Sequence, residues 1–546
     1  VSLSETLIIG KGVIDVTENR KTPVASTVIT REEILDKGVG NVEFPELLKN
    51  SPSIYVADQA SGFGDAKMYM RGFDQSNTAF LLNGQPINGM DNGSLYWSNW
   101  QSVSDIANVI DSQRGLGSSK LAISSVGGTV NIVTKATEKK EGGFVRYLTG
   151  NDSYQKQTIG YNTGMKGKWG ASFMFDNWSA HRSFARGTEG KGQSYFVSVG
   201  FKPNARHTFN FMIFGAPQEH GQNYSKPMDT QYRNIKVNGV NKSIIATPGY
   251  DITGRLGNSN YGFYNGESLS AKTNYYHKPV ANLNWDFTIN ENLSLSTVIY
   301  ASTGTGGGTS TLGNGPGYTD GGYKSNGEID WDVIAAKNQE LKDGISNGNN
   351  GTVLASSVNN HFWYGGVSNL TFDTKKGFVF NVGTDLRFYQ GEHYQQLNNL
   401  LGASGRAASN IQRSKDYVVD KTFSSSPWNS LFNKAKHSER IGFDNSERIN
   451  YQGFFGQAEY SNELFSAFFQ GAISWQEYEK YDNWNYTAES AEKQGIKFKN
   501  GKAYSGERTE IGYNLKAGFS INLNKENSVF VNGGKYSRQP YLNNMF

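Results

Sequence analysis

From residue 142 onward one pattern recurs along the chain: apolar and polar residues alternate with a period of two. Ala281, Leu283, Trp285, Phe287 and Ile289 interleave with Asn282, Asn284, Asp286 and Thr288, and the same alternation runs through Phe378–Phe388, Phe465–Gln476 and Ile511–Ile521. Successive side chains of a strand point to opposite faces, so the pattern predicts strands with one apolar and one polar face. About thirteen such strands fit between 142–150 and 527–537.

The connections sort into two kinds. Every second one is tight, at Gly164–Lys168, Lys202–Arg206, Asn290–Glu291, Thr374–Lys376, Asn462 and Asn524–Glu526. The intervening ones are mostly long, above all Ala216–Lys278 and Gly304–Asn360. Short turns at one end and long loops at the other are the plan of an outer-membrane β-barrel, and a soluble sandwich has no reason to sort its loops this way. The Gly-rich stretch Gly304–Gly317 is expected to be a flexible part of one long loop. Single-chain bacterial barrels have even strand numbers, and Pro540 with Asn543-Asn544 opposes a closing strand in Arg538–Phe546. The expectation is therefore a barrel that continues past Phe546, to about 22 strands when complete.

The residues before 142 are patterned differently. Thr30-Arg31-Glu32-Glu33 is a capping box that starts a short helix, and Phe44–Lys49 is a second short helix. Met68–Phe73 reads as a strand, and Thr78–Leu82 followed by Asn83-Gly84 is a hairpin signal, because Asn-Gly supplies the positive φ angles of a type I′ turn. Ala107–Gln113 and Val130–Val133 complete a small mixed sheet, and Thr137–Glu141 is a charged linker. The expected division is an N-terminal segment over 1–22, an α/β domain over 23–138 and a transmembrane all-β barrel over 142–546.

Composition agrees with a membrane barrel. The 546 residues hold 64 glycines, 12 prolines, 13% aromatics and no cysteine. Disulfides and thiol chemistry are thereby excluded. Mean hydropathy is −0.57, low for so aromatic a chain, yet natural where only alternate residues meet lipid. A net charge of +4 gives no reason to expect nucleic acid as a partner, and no apolar run reaches the ~20 residues of a membrane helix.

The plug segments resemble a known family. Met70-Arg71-Gly72-Phe73 with Leu81-Leu82-Asn83-Gly84-Gln85-Pro86-Ile87 is similar to the "RGF…LLDG-x-P" segment of TonB-dependent outer-membrane receptors. Gln113-Arg114-Gly115-Leu116-Gly117-Ser118-Ser119 and Val126–Lys135 (VGGTVNIVTK) resemble that family's "RGP…GGxINIITK" segment, with Asn83 and Leu116 as modest departures. Phe214–Gly221 (FGAPQEHG) and Asn274–Pro279 (NYYHKP) resemble receptors of Bacteroidetes-type bacteria. The resemblance implies that the α/β domain sits inside the barrel as a plug, in the outer membrane of a Gram-negative, Bacteroidetes-like cell. It also implies active import of a scarce solute, with the TonB–ExbB–ExbD complex and outer-membrane lipid as partners.

On this reading Glu5, Thr6, Leu7, Ile8 and Ile9 (ETLII) resemble the TonB box, an extended segment that lends its backbone to the edge of TonB's sheet. The plainer alternative is a first strand or a tail. Tyr96, Trp97 and Trp100 lie near the expected plug apex, as an aromatic platform for ligand or as packing against the wall. Gln218 and His220 face the vestibule or shape a rigid turn. His181 and Arg182, with Arg186, attract an anionic ligand or are solvated loop charges. Arg71 and Arg114 are expected to form ion pairs with inward-facing barrel acids, ahead of binding an anion. Seven scattered histidines with no HExxH motif give no resident metal site. No carboxylate pair or Ser-His-Asp set stands out, so no catalytic residue and no cofactor is expected. The ligand stays open among ferric siderophore, haem, vitamin and glycan. The competing reading is a structural subunit that keeps the receptor fold and docks surface lipoproteins or other outer-membrane proteins.

Overall fold

The computed structural model describes residues 25–38, 42–58, 62–115, 125–182, 185–223, 227–313, 321–524 and 527–546. The segment Glu5–Ile9 lies outside them.

From Gly142 onward one large sheet carries the long strands in chain order, each antiparallel to its sequence neighbour. Its alternation is strict. Along Trp169–Ala180 every second residue is buried, with Trp169 and Phe175 outward, 55% and 47% exposed, while Ser172, Met174 and Asp176 point inward and are buried. The same inversion holds in later strands, where Val382, Phe469 and Ile511 are exposed and Asp385, Gln470 and Asn514 are buried. A sheet with greasy side chains outside and polar ones inside is the reverse of a soluble fold and matches a lipid-facing barrel wall. Among the described residues no helix is long and apolar enough to cross a membrane. At the tight-turn ends aromatic rings stack along the outer face, with Trp169 and Phe201 at 4.1 Å, Phe209 and Trp285 at 6.1 Å, and Phe378 and Tyr460 at 4.6 Å. They form the girdle expected where the wall meets the lipid headgroups.

Strand length is uneven. Trp169–Ala180 has 12 residues, whereas Leu293–Gly313 has 21 and Thr352–Asp373 and Phe378–Asn399 have 22 each. About ten residues suffice to cross the hydrocarbon, so these strands continue at the long-loop end. This corrects the reading of Gly304–Gly317 as a flexible loop: its first ten residues pair as strand, Gly307 with Val358 and Gly313 with Thr352. Glycine is needed there because strands approach closely; a Cβ on Gly307 would lie 2.2 Å from the Ser357 carbonyl oxygen. Residues 314–317 lie outside the described part.

The plug is built on a five-stranded sheet in the order Ala25–Thr30, Val109–Arg114, Gly128–Val133, Thr78–Leu82, Gln85–Pro86, antiparallel except for the parallel pair of Gly128–Val133 with Thr78–Leu82. The edge strand Ala25–Thr30 carries no strong sequence signal; its pairing partner makes it. The helix Arg31–Lys37 starts at the expected capping box, Thr30 and Glu33 each accepting from the other's backbone N–H. Asn83 (φ 52°) and Gly84 (φ 85°) turn the hairpin as a type I′ turn demands. Thr78–Leu82 and Gly128–Val133 are buried at every position. The reason is that the plug core continues into the wall: Phe80, Leu82, Trp100 and Ile110 share one cluster with Met174, Phe196, Met212, Phe214 and Val280.

Polar contacts fix the seat. Plug residue Asp105 takes Lys156 at 2.6 Å and Arg146 at 2.5 Å, both from wall strands, and Lys156 also donates to Ser102 Oγ at 2.7 Å. Lys135 donates to Asp286 at 2.8 Å. The expected charged linker is itself anchored, the Thr137 N–H donating to Asn210 and Lys139 Nζ to Ser172. Arg71 and Arg114 do not play the part expected of them. Arg114 donates within the plug, to Thr27 Oγ1 at 2.7 Å and to the Ser26 carbonyl. Arg71 lies over Gly115, where a Cβ would come 2.1 Å from its Nη1. The two arginines tie plug strands together, and the wall is gripped by Asp105 and Lys135.

Two outcomes follow from this arrangement. Phe175→Arg places a cation on the lipid face and lowers barrel stability by about 2–4 kcal/mol, read by urea titration in lipid vesicles; Tyr232→Arg, on the exposed loop hairpin Gln231–Val237, costs less than about 0.5 kcal/mol. Equal costs would refute the lipid-facing assignment. Asp105→Asn removes the nearer of the two carboxylates facing Lys156 and leaves it Asp176 at 3.6 Å, a loss of about 1–3 kcal/mol in plug seating, seen as faster hydrogen exchange across Val103–Ile106. Burial alone would raise the Asp105 carboxyl, but Lys156 and Arg146 outweigh it and hold it below its usual value. Its contribution is therefore full above the unfolded carboxylate pKa of about 4 and is lost as pH falls through the lower folded value. In the wild type the fast exchange should appear only on that acid side.

Candidate functional site

The plug apex is a loop held by one amide. Asn88 accepts from the Phe80 N–H at 2.9 Å and donates to the carbonyls of Gln75, Thr78 and Gly93. Gly93, at φ 71°, turns the loop, and a Cβ there would collide with the Tyr541 hydroxyl at 2.1 Å. The three aromatics after this loop part company. Trp97 turns inward, 1% exposed, stacked on Phe44 at 4.8 Å and edge-on to Phe80 at 5.2 Å. Trp100 lies parallel to Phe214 of the wall at 6.2 Å. Tyr96 stays half exposed.

Tyr96 and Trp100 border a cavity of about 450 Å³. Its plug side is completed by Asp65, Asp91, Asn92, Ser94, Ser98 and Asn99, and its wall side by Asn274, Tyr276, Lys278, Asn359, His361, His393, Asn445, Glu447 and Lys480. Every wall residue sits on the long-loop half of its strand or just before it, so the cavity opens toward the loops and is floored by the plug. The wall side is hydrogen-bonded into a network. His393 meets Glu447 at 3.0 Å and Asn359 Oδ1 at 2.7 Å, Tyr389 donates to Glu447 at 2.9 Å, and Tyr276 donates to the Asn359 carbonyl at 3.1 Å. Burial, then the nearby Glu447 carboxylate, push the plug's Asp91 carboxyl above the usual carboxylate range. Among the described residues no group of His, Asp and Glu side chains is arranged to hold a metal ion.

The other sequence candidates lie elsewhere. Gln218 and His220 are buried in the wall, His220 Nδ1 at 2.7 Å from Gln218 Oε1 and its ring beside Phe63 of the plug. Gln218 reaches the cavity only through Asn274, to which it donates at 2.9 Å. His181 bonds Ser153, and Arg182 covers the Phe63 ring at 4.6 Å. Arg186 pairs with Glu328 at 2.8 Å. Arg182 thus joins its loop to the plug, and Arg186 joins two loops. Sequence reasoning missed Asp91, His361, His393 and Glu447. Period-two patterning marks them as inward, but it does not say which inward residues converge. For Asn274, Tyr276 and Lys278 a signal existed, because all three lie in the Asn274–Pro279 motif.

Comparison with known proteins agrees with this architecture. The TonB-dependent Receptor Plug Domain family model matches residues 18–129. The vitamin B12 transporter BtuB of Vibrio vulnificus is 26% identical over 147 residues, 26% of this chain and 23% of that protein. The probable TonB-dependent siderophore receptor PirA of Acinetobacter baumannii is 26% identical over 161 residues, 27% of this chain and 21% of that protein. These matches span about a quarter of either curated relative. Among solved structures, the open form of the ferric-catecholate import receptor Fiu from E. coli K12 superposes with a TM-score of 0.58 at 15% identity, covering 95% of this chain and 70% of that one. Residues 18–129 thus carry a TonB-dependent receptor plug domain, and the chain as a whole has the plug-in-barrel fold of such receptors.

Proposed function

We propose that this receptor imports a scarce solute across the outer membrane, driven by TonB with ExbB and ExbD. The observation that carries the reading is the cavity itself: its walls are the loop-side ends of barrel strands, and its floor is the apex of the plug. A solute bound there touches the element that must yield for it to pass. Tyr96 and Trp100 are its aromatic contacts from the plug, and Tyr276, Lys278 and His361 contact it from the wall. Glu5–Ile9 serves as the TonB box, pairing backbone to backbone with TonB's sheet edge, a geometry that resists a pull along the chain. The motifs Phe214–Gly221 and Asn274–Pro279 support a Bacteroidetes-type source.

Deleting Glu5–Ile9 from the chromosomal copy reproduces the growth defect of the full deletion on whichever sole nutrient source reveals one. The variant still binds that nutrient at the cell surface as the wild type does. Growth equal to wild type on that source would overturn the proposal.

A further inference from the structure

The geometry points to a neutral, hydroxyl-rich ligand for this cavity, of the size of a short oligosaccharide, and away from an anionic ferric chelate. The inference rests on the import reading for the same site. Three independent features of the cavity support it.

The first is charge. Lys278 and Lys480 face three carboxylates, Asp65, Asp91 and Glu447, and no arginine lines the cavity among the described residues. Capture of a carboxylate- or catecholate-rich anion needs a surplus of cationic donors, best supplied by planar guanidinium forks. Here no such surplus exists, because with His393 paired to Glu447 at 3.0 Å the basic groups do no more than match the acidic ones. Lys278 Nζ is moreover held over the Trp363 ring at 4.8 Å and lies 5.9 Å from that of Trp100.

The second is hydrogen-bonding character. Asn92, Asn99, Asn274, Asn359, Asn445 and Asn543 all line the cavity. A carboxamide both donates and accepts, as a hydroxyl does, so a wall of amides matches a sugar ring bearing several hydroxyls. The oxygens of Asn92, Asn274 and Asn359 already accept from Ser94, Gln218 and His393, which leaves those amides as donors, while Asn99 keeps an open acceptor beside them. Two lining residues hold polar atoms with no protein partner, Asn99 Oδ1 and His361 Nε2. Tyr276 gives its proton to the Asn359 carbonyl, so its oxygen, 3.4 Å from His361 Nδ1, is left to accept from that nitrogen. In that tautomer Nε2 is an acceptor. Unspent acceptors recruit O–H donors and repel carboxylate oxygens.

The third is shape. Tyr96 is the one lining aromatic of the plug with half its surface exposed, which leaves a flat apolar face for the C–H face of a pyranose, with polar groups around it. The volume of about 450 Å³ lies within the ~300–1,000 Å³ of small-molecule sites.

The test uses the full chain purified in lipid nanodiscs and titrated calorimetrically. The probes are maltotriose, xylotriose, mannotriose and chitotriose, set against ferric citrate and a ferric tris-catecholate. The expected result is binding of at least one neutral trisaccharide, with a Kd that changes less than about twofold between 50 and 500 mM salt. Tyr96→Ala and Asn99→Ala should each weaken it about tenfold or more. Each variant should retain wild-type heat-modifiable migration, which certifies the barrel, and Tyr96→Phe should retain binding if the ring face is what matters. Salt-sensitive binding of a ferric chelate without sugar binding would overturn the inference, as would no binding of any trisaccharide. Either result leaves import in place, because that reading stands or falls on the Glu5–Ile9 deletion.

Discussion

The structure depends on how an inward-facing polar wall is kept out of water. A barrel this wide cannot fill its lumen with its own side chains, and its alternation aims Asp176, Asn210, Asn282, Asp286 and Asp385 at the interior. The plug meets that wall with two kinds of contact. Phe80, Leu82 and Trp100 join Met174, Phe214 and Val280 in one apolar cluster, whose adhesion scales with area at about 25 cal/mol per Å² and fixes no register. The ion pairs of Asp105 and Lys135 contribute little net free energy after desolvation, but each leaves a buried charge unpaired if the plug slips. Apolar area therefore holds the plug in the lumen and the paired charges set where it sits.

The same division explains why the cavity lies at one end. Around the plug sheet, wall and plug are matched side chain for side chain. Beyond it the strands Leu293–Gly313, Thr352–Asp373 and Phe378–Asn399 run on toward the loops, while the apex is kept short by the tight Gly89–Ser94 turn and its Asn88 clamp. Wall side chains there have no plug residue opposite. They are satisfied by one another instead, through His393, Glu447, Tyr389 and Asn359, and what remains between them and Tyr96 is room for a solute.

Much of this was legible in the sequence because it rests on local rules. Period two locates wall strands, Asn83-Gly84 makes its hairpin, and Thr30 with Glu33 caps its helix. Where the reading fell short, a distant partner decides. Ala25–Thr30 is a strand because Val109–Arg114 lies beside it. Gly304–Gly313 looks like a loop by composition, yet its glycines are what let three strands crowd together near Tyr275 and Ser357. Arg114, expected to pair with a wall acid, donates instead to Thr27 and Ser26 within the plug, and Arg71 lies against Gly115. The aromatic cluster Tyr96-Trp97-Trp100 signals importance without direction, since core, wall and cavity each claim one ring. For the cavity's histidines and acids, only the closing of the wall around the plug brings together residues that lie far apart in sequence.

One short segment ties these regions together. Trp97 anchors it in the plug core and Trp100 borders the cavity. Two residues on, Ser102 sits in the left-handed region at φ 61°, a costly conformation for a residue other than glycine, and takes a hydrogen bond from the wall's Lys156. Asp105 follows with its two wall cations, and the carbonyls of Ser104 and Ala107 both accept from Arg31. Arg31 is the first helical residue after the edge strand Ala25–Thr30, the described part of the plug closest in sequence to its N-terminal end. Between Trp97 and Ala107, then, lie a border of the cavity, the charges that seat the plug and the attachment of its edge strand. The border of the cavity and the seat of the plug thus share the same few residues.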